Sequence, residues 1–111
     1  MILLSVSDFH LGKGKFLENG QKNLIEDFFE DEEFSEFLNF YNTGKFLKEE
    51  VTLVLNGDIF NLIQIDQDGV FTDLIDEDHV VDSLEKIKKG HPIFFNSLKK
   101  FNESKKNSLV F

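Results

Sequence analysis

The chain has 111 residues, of which 41% are hydrophobic and 14 are Phe, so it is long enough for one small domain with a packed core and too apolar for a disordered protein. Its net charge is −9 and its 12 basic residues are all Lys, which argues against a nucleic-acid-binding surface. It has no Cys, no basic leader and no stretch approaching the roughly 18 apolar residues of a membrane span, so we expect a cytoplasmic protein without disulfides or a transmembrane segment.

The first half of the chain predicts a strand, a glycine-containing loop and a helical region. Residues 2–7 are apolar on both faces, which is typical of a strand in the interior of a parallel sheet. The loop covers residues 8–21, and helical spacing of apolar residues begins at Lys22. Asp31 is the expected N-cap of a second helix and Gly44 the residue that follows its end, so this region predicts one bent helix or two consecutive ones.

The second half predicts two further strands and two helices. Residues 51–56 form the second predicted strand, parallel to the first, and residues 63–77 are polar and irregular. Asp78 can cap the next helix, a new helix is expected from Pro92, and a third strand from Ser108. The order of elements is therefore βαβαβ, which predicts an α/β domain with a parallel sheet.

Chemically active side chains follow the first two predicted strands. In an extended segment alternate side chains share a face, so we expect Asp8 and His10 to project together while Phe9 points into the core. If the strands are neighbours, Asp58 emerges at the same carboxyl edge, and Gly57 lets the backbone approach closely. Two carboxylates and an imidazole suit a mid-sized divalent cation. Each strand end alone can equally be an ordinary turn.

Two other functions fit the same residues. Asp8 and Asp58 can form the acidic Mg²⁺ pocket of a phospho-accepting receiver domain, although that domain needs five strands and only three are predicted. A non-catalytic metal-binding or interaction module is the second alternative. His79 and His91 lie near predicted helix starts without a second ligand at suitable spacing, so we interpret them as capping or surface residues.

The two strand ends resemble motifs of a known family. The letters D-F-H-L-G at residues 8–12 and N-G-D-I-F-N at residues 56–61 are similar to the first two motifs of the calcineurin-like metallophosphoesterases, D-x-H and G-D-x-x-D/N. The aromatic residue after G-D-x and the long helical stretch before the third strand resemble the branch that includes the UDP-2,3-diacylglucosamine pyrophosphatases. This resemblance implies a four-layer α/β sandwich around a dinuclear metal centre.

The resemblance also implies roles for individual residues. Asp8 and His10 would hold the first metal, Asp58 would bridge both metals, and Asn61 would orient the ligands. The implied cofactors are two divalent ions, Mn²⁺ first and Zn²⁺ or Fe as alternatives. The implied reaction is hydrolysis of a phosphoester or pyrophosphate bond in a phosphorylated small molecule or a phosphodiester, with hydroxide from metal-bound water as the nucleophile and no catalytic side chain.

The resemblance extends over residues 1–111 but includes only the front part of that family's domain. The motifs G-N-H-D/E and G-H-x-H do not occur in the chain. We therefore expect a truncated sandwich that is inactive, or nearly so, as a phosphatase on its own. An incomplete core and an unpaired last strand also predict self-association.

Overall fold

The structure is a computed structural model and describes residues 1–61 and 77–111, without the side chains of residues 77–79. In chain order the elements are β1 (Ile2–Val6), α1 (Asp31–Phe40), a 3-10 helix (Gly44–Phe46), β2 (Val51–Leu55), α2 (Glu77–Gly90), α3 (Pro92–Glu103) and β3 (Asn107–Val110). None of the described helices is long and apolar enough to cross a membrane. The predicted irregular stretch 63–77 lies outside the described residues, except for Glu77 at the start of α2.

The three described strands form one parallel sheet, which confirms the α/β class. Their order is β1-β2-β3, so β2 is central. Ile2 pairs with Val51, and Val51 pairs in turn with Asn107. The prediction that the first strand is interior is wrong for the described sheet, because β1 lies at its edge and Leu3 is 64% exposed. An apolar run alone does not tell whether both faces of a strand are covered.

The described chain divides into two compact units. The first consists of Met1–Asp8, Glu30–Gly57 and Ile93–Phe111, and the second of Phe9–Phe29 and Asp58–Pro92. The first unit contains the sheet, α1 and nearly all of α3, and its buried apolar residues include Phe34, Leu53 and Phe101. The rings of Phe34 and Phe94 stack with their centroids 4.8 Å apart. Packing of α1 on α3 through these rings therefore stabilises the first unit.

The second unit contains α2 and the long segment that follows β1. Its buried apolar residues are Leu11, Phe28, Ile59 and Ile87. Segment 9–29 comes very close to the end of α2, since a Cβ on Gly90 would lie 1.8 Å from the carbonyl oxygen of Lys13. Only glycine therefore fits at this position.

The helix predicted to begin at Lys22 is not formed, and residues 22–30 are turns and irregular backbone. The side chain of Asn23 donates to the carbonyl oxygen of Gly14 at 3.1 Å and accepts from the N–H of Ile25 at 3.4 Å. Such side-chain bonds to nearby backbone compete with helix formation. The apolar spacing was misleading here, because Leu24 is 91% exposed.

Three predicted helix ends differ from the observed ones, and one agrees. Asp31 is the first residue of α1, whose N-cap is Glu30, and Asp78 lies inside α2. Gly44 begins the 3-10 helix, while α1 already ends at Phe40. Pro92 is the first residue of α3, as predicted, because the first helical turn does not need its missing N–H.

The buried Phe pair in the first unit yields a stability prediction. Replacing Phe94 by Ala should lower the free energy of unfolding by about 3–5 kcal/mol, because it leaves a cavity and removes the stacked ring. Phe111, which is 76% exposed, is the matched control, and its replacement by Ala should change the value by about 0.5 kcal/mol or less. Urea denaturation, monitored by far-ultraviolet circular dichroism, measures the free energy of unfolding of both variants. Equal losses would contradict the observed burial.

Candidate metal site

Backbone pairing continues beyond the ends of β1 and β2. The N–H of Asp8 donates to the carbonyl oxygen of Gly57 at 3.2 Å, and the N–H of His10 donates to that of Asp58 at 2.9 Å. The N–H of Leu11 then donates to Ile59 at 2.8 Å. The register set in the sheet is thus carried into the two loops that bear the candidate ligands.

The structure brings Asp8, His10 and Asp58 together. Each offers one potential ligand atom, and these atoms all lie within 4.8 Å of one another. Asp8 and Asp58 are exposed and His10 is half-buried. The expected convergence of these side chains is therefore present, and the cluster is accessible to solvent.

These three residues also share an uncommon backbone conformation. The φ angles are 61° at Asp8, 52° at His10 and 53° at Asp58, and no other non-glycine residue in the described chain has a positive φ. Asp and His tolerate the left-handed region better than most residues, but it still costs on the order of 1 kcal/mol each. Strain of this kind concentrates at functional sites.

Two local predictions about these loops are wrong. Asp8 and His10 do not project together from an extended segment, because β1 ends at Val6 and both residues adopt left-handed conformations. Gly57 does not serve a close approach, since a Cβ there would meet nothing within 4 Å. Its φ of 81° is what favours glycine.

The environment of the cluster includes one group that was predicted and one that was not. The N–H of Asn61 donates to the carbonyl oxygen of Leu11 at 2.8 Å, so Asn61 belongs to the same paired loops. Its role in orienting ligands stays a prediction. The hydroxyl of Ser7 donates to Oδ2 of Asp8 at 2.8 Å and orients that carboxylate.

Sequence reasoning missed a buried carboxylate in the second unit. The side chain of Glu26 is fully buried and accepts hydrogen bonds from four backbone N–H groups: Gly12 at 3.0 Å, Gly14, and Asp27 and Phe28 at 3.2 Å each. Nε2 of His91 lies 3.1 Å from its Oε1. This group of residues is called the Glu26 clamp below.

The same contacts correct the interpretation of His91, which is buried and only 1% exposed. It is not a surface residue, because its ring pairs with Glu26 across 65 positions of sequence. It directly precedes Pro92, the first residue of α3, so the expected position next to a helix start is confirmed. Glu26 lies among many acidic residues, a pattern that is typical of a solvated helix face, so its local sequence does not point to this pair. The side chain of His79 lies outside the described residues.

The hydrogen bonds of the Glu26 clamp determine its ionisation. Burial by itself would raise the pKa of the carboxyl group, but the bonds from His91 and from the amides of Gly12, Gly14 and Phe28 outweigh it and lower the pKa to about 2. Glu26 is therefore ionised over the whole neutral range.

In comparisons of the chain with protein-family models, curated proteins and solved structures, no match is found. The chemistry of the site is therefore inferred from the residues themselves. Two carboxylates and one imidazole form a mixed oxygen and nitrogen donor set that suits Mn²⁺, Zn²⁺ or Fe²⁺. Three potential ligands on a solvent-accessible surface would leave further coordination positions of a bound cation open.

The lowered pKa of Glu26 predicts an acid-sensitive contribution to stability. Its folded pKa of about 2 lies below the value of 4.5 for a free glutamate, so its ionised form stabilises the fold above pH 4.5, and this contribution is lost as the pH falls from 4.5 towards 2. Between pH 6 and pH 3 we expect a loss of about 2 kcal/mol in wild type that Glu26→Gln does not show. Urea denaturation at the two pH values measures it.

The exposed Glu33 on α1 is the matched control for this measurement. Glu33→Gln removes the same charge and should keep the wild-type dependence on pH. A Glu26→Gln chain with the same loss between pH 6 and pH 3 as wild type would contradict the assignment.

Proposed function

We propose that Asp8, His10 and Asp58 bind a divalent cation, and that the chain carries the first part of the metal centre of a phosphoester or pyrophosphate hydrolase. One observation carries the proposal. Three potential ligands from two stretches far apart in sequence lie within 4.8 Å of one another, and all three hold left-handed backbone conformations. Chance proximity of exposed acidic groups does not account for the shared strain.

The residues of the cluster contribute different ligand atoms to the binding of the cation. Asp8 and Asp58 supply anionic oxygen atoms, and His10 supplies a neutral nitrogen, so the three together offset the charge of a divalent ion. Ser7 donates a hydrogen bond to Oδ2 of Asp8 and so orients that carboxylate. When bound, the cation supplies Lewis acidity towards phosphoryl oxygen and lowers the pKa of water.

The chain's composition and strand order favour phosphate chemistry of the metallophosphoesterase kind. Without Arg, recognition of phosphate within the chain requires a cation, Lys or backbone amides. The motif resemblance at residues 8–12 and 56–61 supports the same class. The described strand order, with β2 between β1 and β3, differs from the 2-1-3-4-5 order of receiver-like sheets, in which β1 lies between the other two.

The wider context belongs to the same proposal. The three-stranded sheet would be the front part of a four-layer sandwich in a cytoplasmic enzyme acting on phosphorylated small molecules or phosphodiesters. Leu3 and Val110 lie on one face of the sheet and are 64% and 45% exposed. An apolar sheet face of this kind favours self-association of the 111-residue chain.

Metal binding is the first test. We expect the chelator-treated chain to bind about one Mn²⁺, since three ligands suit a single ion. Asp58→Asn should weaken binding by more than about tenfold, because loss of a residue that only orients a ligand already lowers metal affinity by that factor. Isothermal titration calorimetry measures both. Glu33→Gln, which removes an exposed carboxylate from α1, is the control and should bind as wild type does. Equal binding by all three proteins would sink the proposal.

Phosphate binding separates a hydrolase site from a closed structural metal site. Inorganic phosphate should bind to the Mn²⁺-loaded chain and not to the metal-free chain, and Asp58→Asn should abolish this difference, because the open coordination positions receive the phosphate oxygen atoms. Calorimetric titration with phosphate measures it. Metal binding without any phosphate binding would instead identify a non-catalytic metal-binding module.

The expected turnover is small. We expect only trace hydrolysis of bis-p-nitrophenyl phosphate, because a mechanism with two cations needs more ligands than the three in the described cluster. Substantial hydrolysis that Asp58→Ala abolishes would contradict this limit. Labelling of Asp58 by acetyl phosphate would favour a receiver domain and contradict the hydrolase.

A further inference from the structure

The segment that carries His10 is attached on two sides. On one side the N–H groups of His10 and Leu11 donate to the carbonyl oxygens of Asp58 and Ile59 at 2.9 and 2.8 Å. On the other side the N–H groups of Gly12 and Gly14 donate to the carboxylate of Glu26. All of these residues belong to the second unit, so the attachment is local to it.

We infer that Glu26 is a positioning residue that holds the backbone at His10 in its left-handed conformation through the amides of Gly12 and Gly14, and thereby sets the position of the imidazole. The part of this inference that concerns metal affinity rests on the proposed function. The part that concerns the backbone of His10 does not.

The Glu26 clamp both satisfies a buried carboxylate and connects it to the segment after His10. A fully buried carboxylate is costly unless its oxygen atoms are satisfied. Here Oε2 accepts from Gly12, Asp27 and Phe28, and Oε1 accepts from Gly14 and pairs with His91. Two of these donors come from the segment directly after His10, so the position of the carboxylate and the path of that segment depend on each other.

Close packing restricts the backbone conformation of the segment that follows His10. Gly14 has a φ of 102°, and a Cβ on it would lie 2.6 Å from the carbonyl oxygen of Gly90. A Cβ on Gly12 would lie 3.1 Å from Oε1 of Glu26. The segment is thus confined between the end of α2 and the carboxylate, so the carboxylate forms one of the two surfaces that determine its path.

An amide cannot replace the carboxylate in this arrangement. Both oxygen atoms of Glu26 face N–H donors, so the NH₂ group of Gln would meet donors whichever way it is oriented. Glu26→Gln therefore disturbs the Gly12 and Gly14 amides while it preserves the size of the side chain. Glu26→Asp keeps the charge but shortens the reach by one methylene.

Two further variants separate positioning from general stability. His91→Gln removes the ring that pairs with Oε1 but leaves the amides of Gly12 and Gly14 on the carboxylate, so it should lower stability without moving His10. Glu33→Gln makes the same chemical change at an exposed residue outside the Glu26 clamp and is the matched control.

The experiment records, for wild type and the four variants, the backbone resonances of His10, Gly12 and Gly14 by nuclear magnetic resonance in the metal-free chain. Calorimetry then gives the dissociation constant for Mn²⁺, and circular dichroism confirms folding. In Glu26→Gln and Glu26→Asp we expect the resonances of His10 to shift and the dissociation constant to rise by about tenfold or more. His91→Gln and Glu33→Gln should keep the His10 resonances and stay within about twofold in affinity, below the roughly tenfold effect of a partner that orients a ligand.

Several results would overturn the inference. The first is a folded Glu26→Gln chain with unchanged His10 resonances. The second is a His91→Gln chain whose His10 resonances shift as far as those of Glu26→Gln. The third is unfolding of both Glu26 variants while His91→Gln stays folded, because Glu26 then acts on stability alone. Failure of the proposed function is distinguishable from failure of this inference. If the wild-type chain binds no Mn²⁺, the proposed function fails, and the comparison of the His10 resonances still tests the role of Glu26.

Discussion

Parallel pairing of β1 with β2 is the constraint on which the candidate site depends. The pairing of Val6 with Leu55 sets a register that returns in the parallel bridge between Leu11 and Phe60. Between these pairs, backbone hydrogen bonds run from Asp8 to Gly57 and from His10 to Asp58. Two loops separated by about half of the chain are therefore held side by side. In these loops the potential ligand atoms of Asp8, His10 and Asp58 lie within 4.8 Å of one another, and all three residues have left-handed backbone conformations. A slip of one residue would separate them.

The Glu26 clamp adds a second anchor on the opposite side of the same segment. A carboxylate with four backbone donors is a rigid support, because each oxygen is satisfied and the surrounding packing admits no Cβ at Gly90. Sheet register brings the candidate ligands together, and in the account proposed above the clamp holds the segment that carries His10. Pre-organisation of this kind lowers the conformational entropy that is lost when a cation binds.

Much of this fold follows from local patterns, and the rest depends on distant partners. The strands were predicted to within one residue at β1, β2 and β3, because alternating and apolar runs bounded by polar residues are local signals. The convergence of Asp8 with Asp58 followed from the geometry of parallel strands. The irregular backbone at residues 22–30 could not be predicted from the sequence, because its apolar residues have helical spacing although side-chain hydrogen bonds of Asn23 and Glu26 hold the segment in another conformation. The burial of His91 was equally hidden, since its partner lies 65 positions away.

X-ray absorption spectroscopy of the Zn²⁺-loaded chain tests the central claim most directly, because it counts the imidazole groups bound to the metal. The chain has three His residues. The account predicts one imidazole together with oxygen ligands, and loss of the imidazole signal in His10→Ala. A zinc site with no imidazole, or one whose imidazole signal survives in His10→Ala, would contradict it.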